Sequence, residues 1–152
     1  MRPPGEKGFA SQDQAIYIHS MLKELTVQTR SQTEFVNVDS EVGSVVRESG
    51  IREGICHLWV PHTTAAVTIN ENGDPAVVRD ILYELDKVIP LRDAYHHMEG
   101  NSAAHIKSSL FGPDLSLIIA DGHLLLGTWQ SVYFCEFDGP RKRRLFVKVV
   151  EG

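Results

Sequence analysis

The stretch from Leu115 to Val150 constrains this chain most. LSLIIA, HLLLGT, WQSVYFCEF and RLFVKVV are four apolar, β-rich segments separated by turn-forming residues, with no helical period between them. Asp121-Gly122 supplies the positive φ angles of a type I′ turn, so the first two segments form a hairpin. Asp138-Gly139-Pro140 marks a second turn. Strands joined by such short connections run antiparallel, because a parallel pair needs a long crossover.

The upstream half adds strands and three helices. Leu25, Val27 and Thr29 alternate as a half-buried strand, and a second strand covers Glu34 to Val38. Asp39 or Ser40 caps the smallest helix, which carries Val42, Val45 and Val46 and stops at Gly50. Ile55–Val60 and Ala65–Asn70 read as two strands joined by a tight or bulged step at Pro61–Thr64. Asp74 as N-cap and Pro75 at the first helical position open the clearest helix, with Val77, Val78, Ile81, Leu82, Leu85, Val88 and Ile89 on one stripe. Ser102 caps a third helix that runs through Leu110 and ends at Gly112. About eight strands and three helices make an α+β class with a mostly antiparallel sheet. The 152 residues suit a single domain, placed at 21–152, with 1–20 as an N-terminal arm.

Composition excludes several classes of function. Fifteen basic against 20 acidic residues give −5, and with 42% hydrophobic residues the chain is neither disordered nor a generic polyanion binder, so no nucleic-acid partner is expected. Cys56 and Cys135 lie in strand segments without a CxxC spacing, which removes zinc-ribbon and disulfide-framework readings. No apolar run approaches the roughly 20 residues of a bilayer span, and the N-terminus lacks a signal-peptide core, so no membrane partner and a cytoplasmic location are expected.

Seven histidines set the main question. His62 ends a strand, His97 lies in a loop and His105 in the first turn of a helix. Neutral imidazoles from three separate elements can form an open cage for a metal, or grip an anion. His19 belongs to the arm, His57 and His123 read as structural, and His96 is an alternative to His97. Glu99 can orient an imidazole or act as a base, and Glu71, flanked by Asn70 and Asn72 before a helix N-terminus, is a second candidate base. Lys107 and Ser108 with Asn101, Thr128 with Gln130 at the Gly127 strand junction, and Arg141 after the Gly-Pro turn are candidate contacts to an anionic substrate. The run of four basic residues, Arg141 to Arg144, reads as a solvated edge, from which one Arg could reach into a site to hold phosphate bidentately.

Taken together, PHTTAAVTINENGDP, HMEGNSAAHIKSSLFG and GTWQSVYFCEFDGPRKRR resemble the YjbQ-like family, an uncharacterised family also labelled secondary thiamine-phosphate synthase. The resemblance covers Met21 to Gly152. It implies a compact α+β sandwich, assembled as a homotrimer with its site near a subunit boundary. It also implies that His62, His97 and His105 hold a divalent metal, zinc first, or the anion itself, with Glu71 at the acidic centre of NEN. Thiamine-phosphate synthesis normally uses Mg²⁺ on carboxylates and a basic pyrophosphate cradle, whereas zinc on three nitrogens suits water activation or hydrolysis. The expected function is an enzyme for a small phosphorylated or anionic metabolite, with weak synthase-type activity implied by the family. The alternative is a trimeric module that binds a small anion or metal without turnover.

Overall fold

The computed structural model describes residues 19–152. Most of the arm assigned to 1–20 lies outside the described residues, but its last two positions belong to the domain. Ser20 opens β1 (Ser20–Gln28), and the His19 carbonyl accepts the Glu151 amide at 3.0 Å. The chain continues through β2 (Glu34–Asn37), α1 (Asp39–Ser49), β3 (Gly54–Trp59), β4 (Ala65–Glu71), α2 (Pro75–Val88), α3 (Ser102–Phe111), β5 (Asp114–Ala120), β6 (His123–Leu124), β7 (Gln130–Glu136) and β8 (Lys142–Glu151).

The strands form a five-stranded sheet, β1-β8-β3-β5-β6, and a three-stranded sheet, β2-β7-β4, with antiparallel pairing throughout the described residues. Together with the three helices, this is the α+β class expected from the pattern. Alternation on β3, β5 and β8 turns Cys56, Leu58, Leu117, Ile119, Leu145, Val147 and Val149 inward, where they meet Val67, Val132 and Phe134 of the small sheet and the valines of α1. The opposite face of the small sheet packs Ala66, Tyr133 and Cys135 with Phe137 beneath α2 and α3. Strand β7 is therefore covered on both faces, which is why Ser131 to Glu136 are all buried and the segment reads as continuous rather than alternating.

The antiparallel expectation holds, but mostly not through hairpins. Asp121 (φ 52°) and Gly122 (φ 78°) make the predicted type I′ turn, although HLLLGT contributes only the two residues of β6. Pro61–Thr64 and Asp138–Arg141 do not close hairpins: each carries the chain from one sheet to the other, because β3 and β8 pair in the large sheet while β4 and β7 pair in the small one. Local turn chemistry marks a reversal without saying which sheet receives the next strand.

Helix ends show smaller differences. Gly50 (φ 71°) ends α1 in the left-handed region, and Asp74 caps α2 by accepting the Ala76 amide at 2.8 Å, both as predicted. Asp39 does not cap α1; Val38 holds that position, and the Asp39 carboxylate accepts the Val132 amide at 2.7 Å. Asn101 rather than Ser102 precedes α3, which at ten residues is shorter than the eleven of α1. The apolar stripe of α2 exists, yet none of its 14 residues is buried in the single chain.

Phe134 is fully buried between the sheets. Phe134→Ala should cost about 3–5 kcal/mol, read as a lowered denaturant midpoint with an unchanged slope.

Candidate functional site

Two sheet-to-sheet crossings lie side by side at one end of the sandwich. After Trp59 the chain leaves the large sheet, the Val60 amide bonding to the Pro113 carbonyl at 2.7 Å, and Pro61–Thr64 leads into β4. The return crossing, Asp138–Arg141, is tied to the first by the Phe137 amide on the Thr64 carbonyl at 3.2 Å. Residues 99–101 and one face of α3 form the third wall. Between them opens a cleft of about 790 Å³ lined by His62, Thr63, Thr64, Glu99, Asn101, His105, Ser108, Ser109, Asp138, Arg141 and Arg143.

A buried ion pair forms its floor. Glu136 is fully buried and Arg143 is 5% exposed. Arg143 Nε donates to Glu136 Oε2 at 2.8 Å and Nη2 to Oε1 at 2.6 Å, a bidentate pair, while Nη2 also reaches Thr64 Oγ1 at 2.8 Å. The carboxylate further accepts the Asp138 amide and the Thr29 hydroxyl, each at 2.9 Å. Burial pushes the Glu136 carboxyl up, but the hydrogen bonds from Arg143, Asp138 and Thr29, with the Arg143 charge, outweigh it and hold the group below its usual range. Gly139 closes the back of this network: a Cβ there would lie 2.3 Å from the Ser31 carbonyl oxygen and 2.8 Å from Glu136 Cγ.

His62 faces the same cleft in a fixed tautomer. Its Nε2 accepts the Arg144 amide at 2.9 Å, in effect replacing β3 beside β8 two residues past the Trp59–Phe146 pairing. The proton of the neutral ring therefore sits on Nδ1. Burial, then the Arg143 and Arg144 charges, lower the pKa of His62, so the neutral ring is favoured.

Six of the predicted site residues meet in this cleft: His62, Glu99, Asn101, His105, Ser108 and Arg141. Ser108 donates to the Thr63 carbonyl at 2.5 Å, and Arg141 donates to Asp138 Oδ2 at 2.8 Å. His97 lies outside, its ring edge-to-face with His105 at 5.3 Å between centroids and its Nε2 3.8 Å from Glu99. Together with Tyr95, Ser102, His105 and Ile106 it lines a neighbouring, mostly apolar pocket of about 390 Å³. Lys107 turns the other way, 3% exposed and paired with Asp86 at 2.5 Å.

Glu71, Asn70, Asn72, Thr128 and Gln130 belong to the opposite end of the small sheet. Glu71 lies six residue steps along β4 from Ala65, about 20 Å of strand. There Tyr133 donates to the Glu71 carbonyl at 3.1 Å and to Asn72 Oδ1 at 3.2 Å, and Gln130 accepts the Gly127 amide at 2.8 Å. Asn70 accepts the amide of Glu71 at 2.8 Å, and Thr128 is exposed in the turn before β7.

The donor set of one chain does not fit a three-histidine metal cage. The Nε2 lone pair of His62 is committed to Arg144, its Nδ1 carries a proton, and beside it stands a buried guanidinium. Among the described residues no three His, Cys, Asp or Glu side chains converge as ligands. Cys56 and Cys135 are buried thiols, and burial pushes the Cys56 pKa up to about 12.

The basic run also holds a correction. Arg141 and Arg144 are exposed, but Arg143 is not part of a solvated edge. It shares the inward phase of Leu145, Val147 and Val149, as Glu136 shares that of Val132 and Phe134. For Arg143 that alternation was the available signal, concealed by the run of four basic side chains; β7, covered on both faces, offered no such signal for Glu136.

With this geometry in place, comparison supplies the family. Residues 23–152 match the model described as UPF0047 protein YjbQ-like, and the chain belongs to that family. The Bacillus subtilis UPF0047 protein YugU is 47% identical over 131 residues, 86% of this chain and 99% of its own. Methanocaldococcus jannaschii MJ1081 is 48% identical over 130 residues, covering 86% and 94%. A crystal structure of an uncharacterised yjbq/upf0047-family protein from Clostridium acetobutylicum superposes with a TM-score of 0.82 at 51% identity, over 84% of this chain and 98% of its own. A YbjQ-like protein of unknown function from Sulfolobus solfataricus gives 0.85 at 29% identity, over 90% and 100%.

Removing the Glu136 charge leaves Arg143 buried and unpaired, so Glu136→Gln should cost about 3–5 kcal/mol in denaturant unfolding. The depressed carboxyl stabilises the fold above its ordinary value of 4.5 and loses that contribution as pH falls through the lower native value. Stability measured from pH 7 to 3 should fall more steeply in the parent than in Glu136→Gln.

Proposed function

We propose that the cleft binds a small phosphorylated or carboxylate metabolite and turns it over by proton transfer. Arg143, Thr64 and the Nδ1–H of His62 hold the anion, and His105 or Glu99 handles the proton. The observation that carries this reading is Arg143. Its Nε and Nη2 are bound to Glu136 and Thr64, while Nη1 has no hydrogen-bond partner among the described residues, on the floor of an open cleft. A guanidinium fixed in this way presents its remaining donors with little rotamer freedom left to lose.

The same features support an anion rather than a metal cation as the occupant. His62 offers a proton, not a lone pair, and the charges that act on it most strongly, Arg143 and Arg144, are positive. Zinc remains an experiment: metal analysis of untagged protein should give the same content for the parent and His62→Gln. The synthase-type transfer is the most demanding form of this proposal, since it needs carboxylates for Mg²⁺. Glu99 is exposed, and Asp138 is already clamped by Arg141.

A binding module without turnover is the second reading, favoured by the position of Glu71, whose strand end lies about 20 Å from the cleft end of β4 within one chain. Recovery of unchanged ligand after long incubation with saturated protein would select it. Self-association into a homotrimer belongs to the same proposal. The α2 stripe is uncovered, and Leu22, Ile55, Trp59 and Ile118 are exposed on the large sheet. Sedimentation equilibrium should give three times the 17.0 kDa chain mass.

Inorganic phosphate should bind the parent saturably in calorimetry, and Arg143→Lys, which cannot form the bidentate pair, should weaken it by about tenfold or more. Equal affinity in a folded Arg143→Lys would remove Arg143 from the site.

A further inference from the structure

His105 stands in two walls at once. It lines the cleft with Asn101, Ser108 and Ser109, and it lines the neighbouring pocket of about 390 Å³ with Ser102 and Ile106. Ser102 and Ile106 follow Asn101 and His105 by one residue each, about 100° round α3, so cleft and pocket flank the same helical turn. A second contact completes the divider. Glu99, which lines the cleft, lies 3.8 Å from Nε2 of His97, which lines the pocket, and the His97 and His105 rings meet edge to face.

The two spaces differ in chemistry. The cleft carries Arg143, Thr64 and His62, whereas the pocket is mostly apolar. Tyr95 has its hydroxyl committed to the Pro90 carbonyl at 2.9 Å and offers the pocket a ring, and Ile106 adds an aliphatic side chain that is 39% exposed. A small anion on the cleft floor leaves this apolar surface in water, while an apolar group attached to the anion covers it, which is favourable. We infer that the ligand has a head and a tail: an anionic group on Arg143, and an alkyl or aryl group in the pocket beside Ile106 and Tyr95. The bond that joins them passes the divider, where His105 and Glu99, the two groups assigned to proton transfer, both stand. This rests on the anion reading above and adds the class of substrate, an anion with an apolar body.

Calorimetry with alkyl phosphates tests it, inorganic phosphate setting the baseline. Hexyl phosphate should bind the parent at least about tenfold tighter than methyl phosphate. A smaller gain, with phosphate still bound, would overturn the inference and leave the anion site standing. Ile106→Gln changes a partly exposed position that lines the pocket and not the cleft. There the gain should fall by about threefold or more, with methyl phosphate bound as in the parent; a gain that persists places the tail elsewhere and also overturns the inference. A second readout needs no variant to fold: in the methyl-labelled parent, hexyl phosphate should shift the Ile106 resonance and methyl phosphate should not. An unmoved Ile106 resonance with hexyl phosphate bound would count against the pocket in the same way. No binding of phosphate or of any ester would instead overturn the anion site, and the tail with it.

Discussion

The pairing of Glu136 with Arg143 joins what the strands alone do not. Glu136 ends β7 in the small sheet and Arg143 lies near the start of β8 in the large one, so their two hydrogen bonds cross the sandwich where the sheets have no shared ladder. Two charges of opposite sign are taken out of water together, and the remaining acceptor capacity of the carboxylate is met by Thr29 and the Asp138 amide. Such a pair adds little net stability over an apolar contact, but it penalises any arrangement that separates its members. It thereby fixes the spacing of the two crossings that form the cleft.

The consequences spread outward from that pair. Thr64, bonded to Arg143, sets the path of Pro61–Thr64, and this path brings His62 beside β8, where its ring takes the Arg144 amide. Asp138, whose amide is held by Glu136, fixes Arg141 and Asn101 through its own carboxylate. Much of the polar lining is therefore hydrogen-bonded to residues that themselves touch the pair. A site built in this way is preorganised, with its donors oriented before a ligand arrives.

Much of the fold was legible in the sequence, and less of the site. Apolar β-rich runs between turn residues, with alternation in β1, located the main strands, and Asp74, Pro75, Gly50 and Asp121-Gly122 marked turns and helix ends through local chemistry that tertiary context did not override. Sheet membership was not legible, because a turn such as Asp138–Arg141 can close a hairpin or cross a sandwich with the same residues. His62, Asn101, His105 and Arg141 were drawn from polar clusters at element ends, and they do converge. Glu71 and Gln130 came from equally polar clusters at the far end of the small sheet, a separation that depends on strand direction and length. Arg143 and Glu136 were hidden because each stands where charge is normally solvated; the phase of β8 reveals that Arg143 points inward, and β7, covered on both faces, carries no such phase for Glu136.

The alternation between sheets has a kinetic meaning. Among the described residues β5–β6 is the one pairing closed by a tight turn; β1 pairs with β8 across more than a hundred residues, and β2 with β7 across nearly as many. Native contacts of this kind raise contact order, and folding slows because loops must close before their contacts stabilise anything. Strand β8, which carries Arg143, lies between β1 and β3 and so depends on both for its pairing. The cleft is thus completed only when β8 has inserted between its two neighbours, and a chain without that strand lacks the cleft's floor.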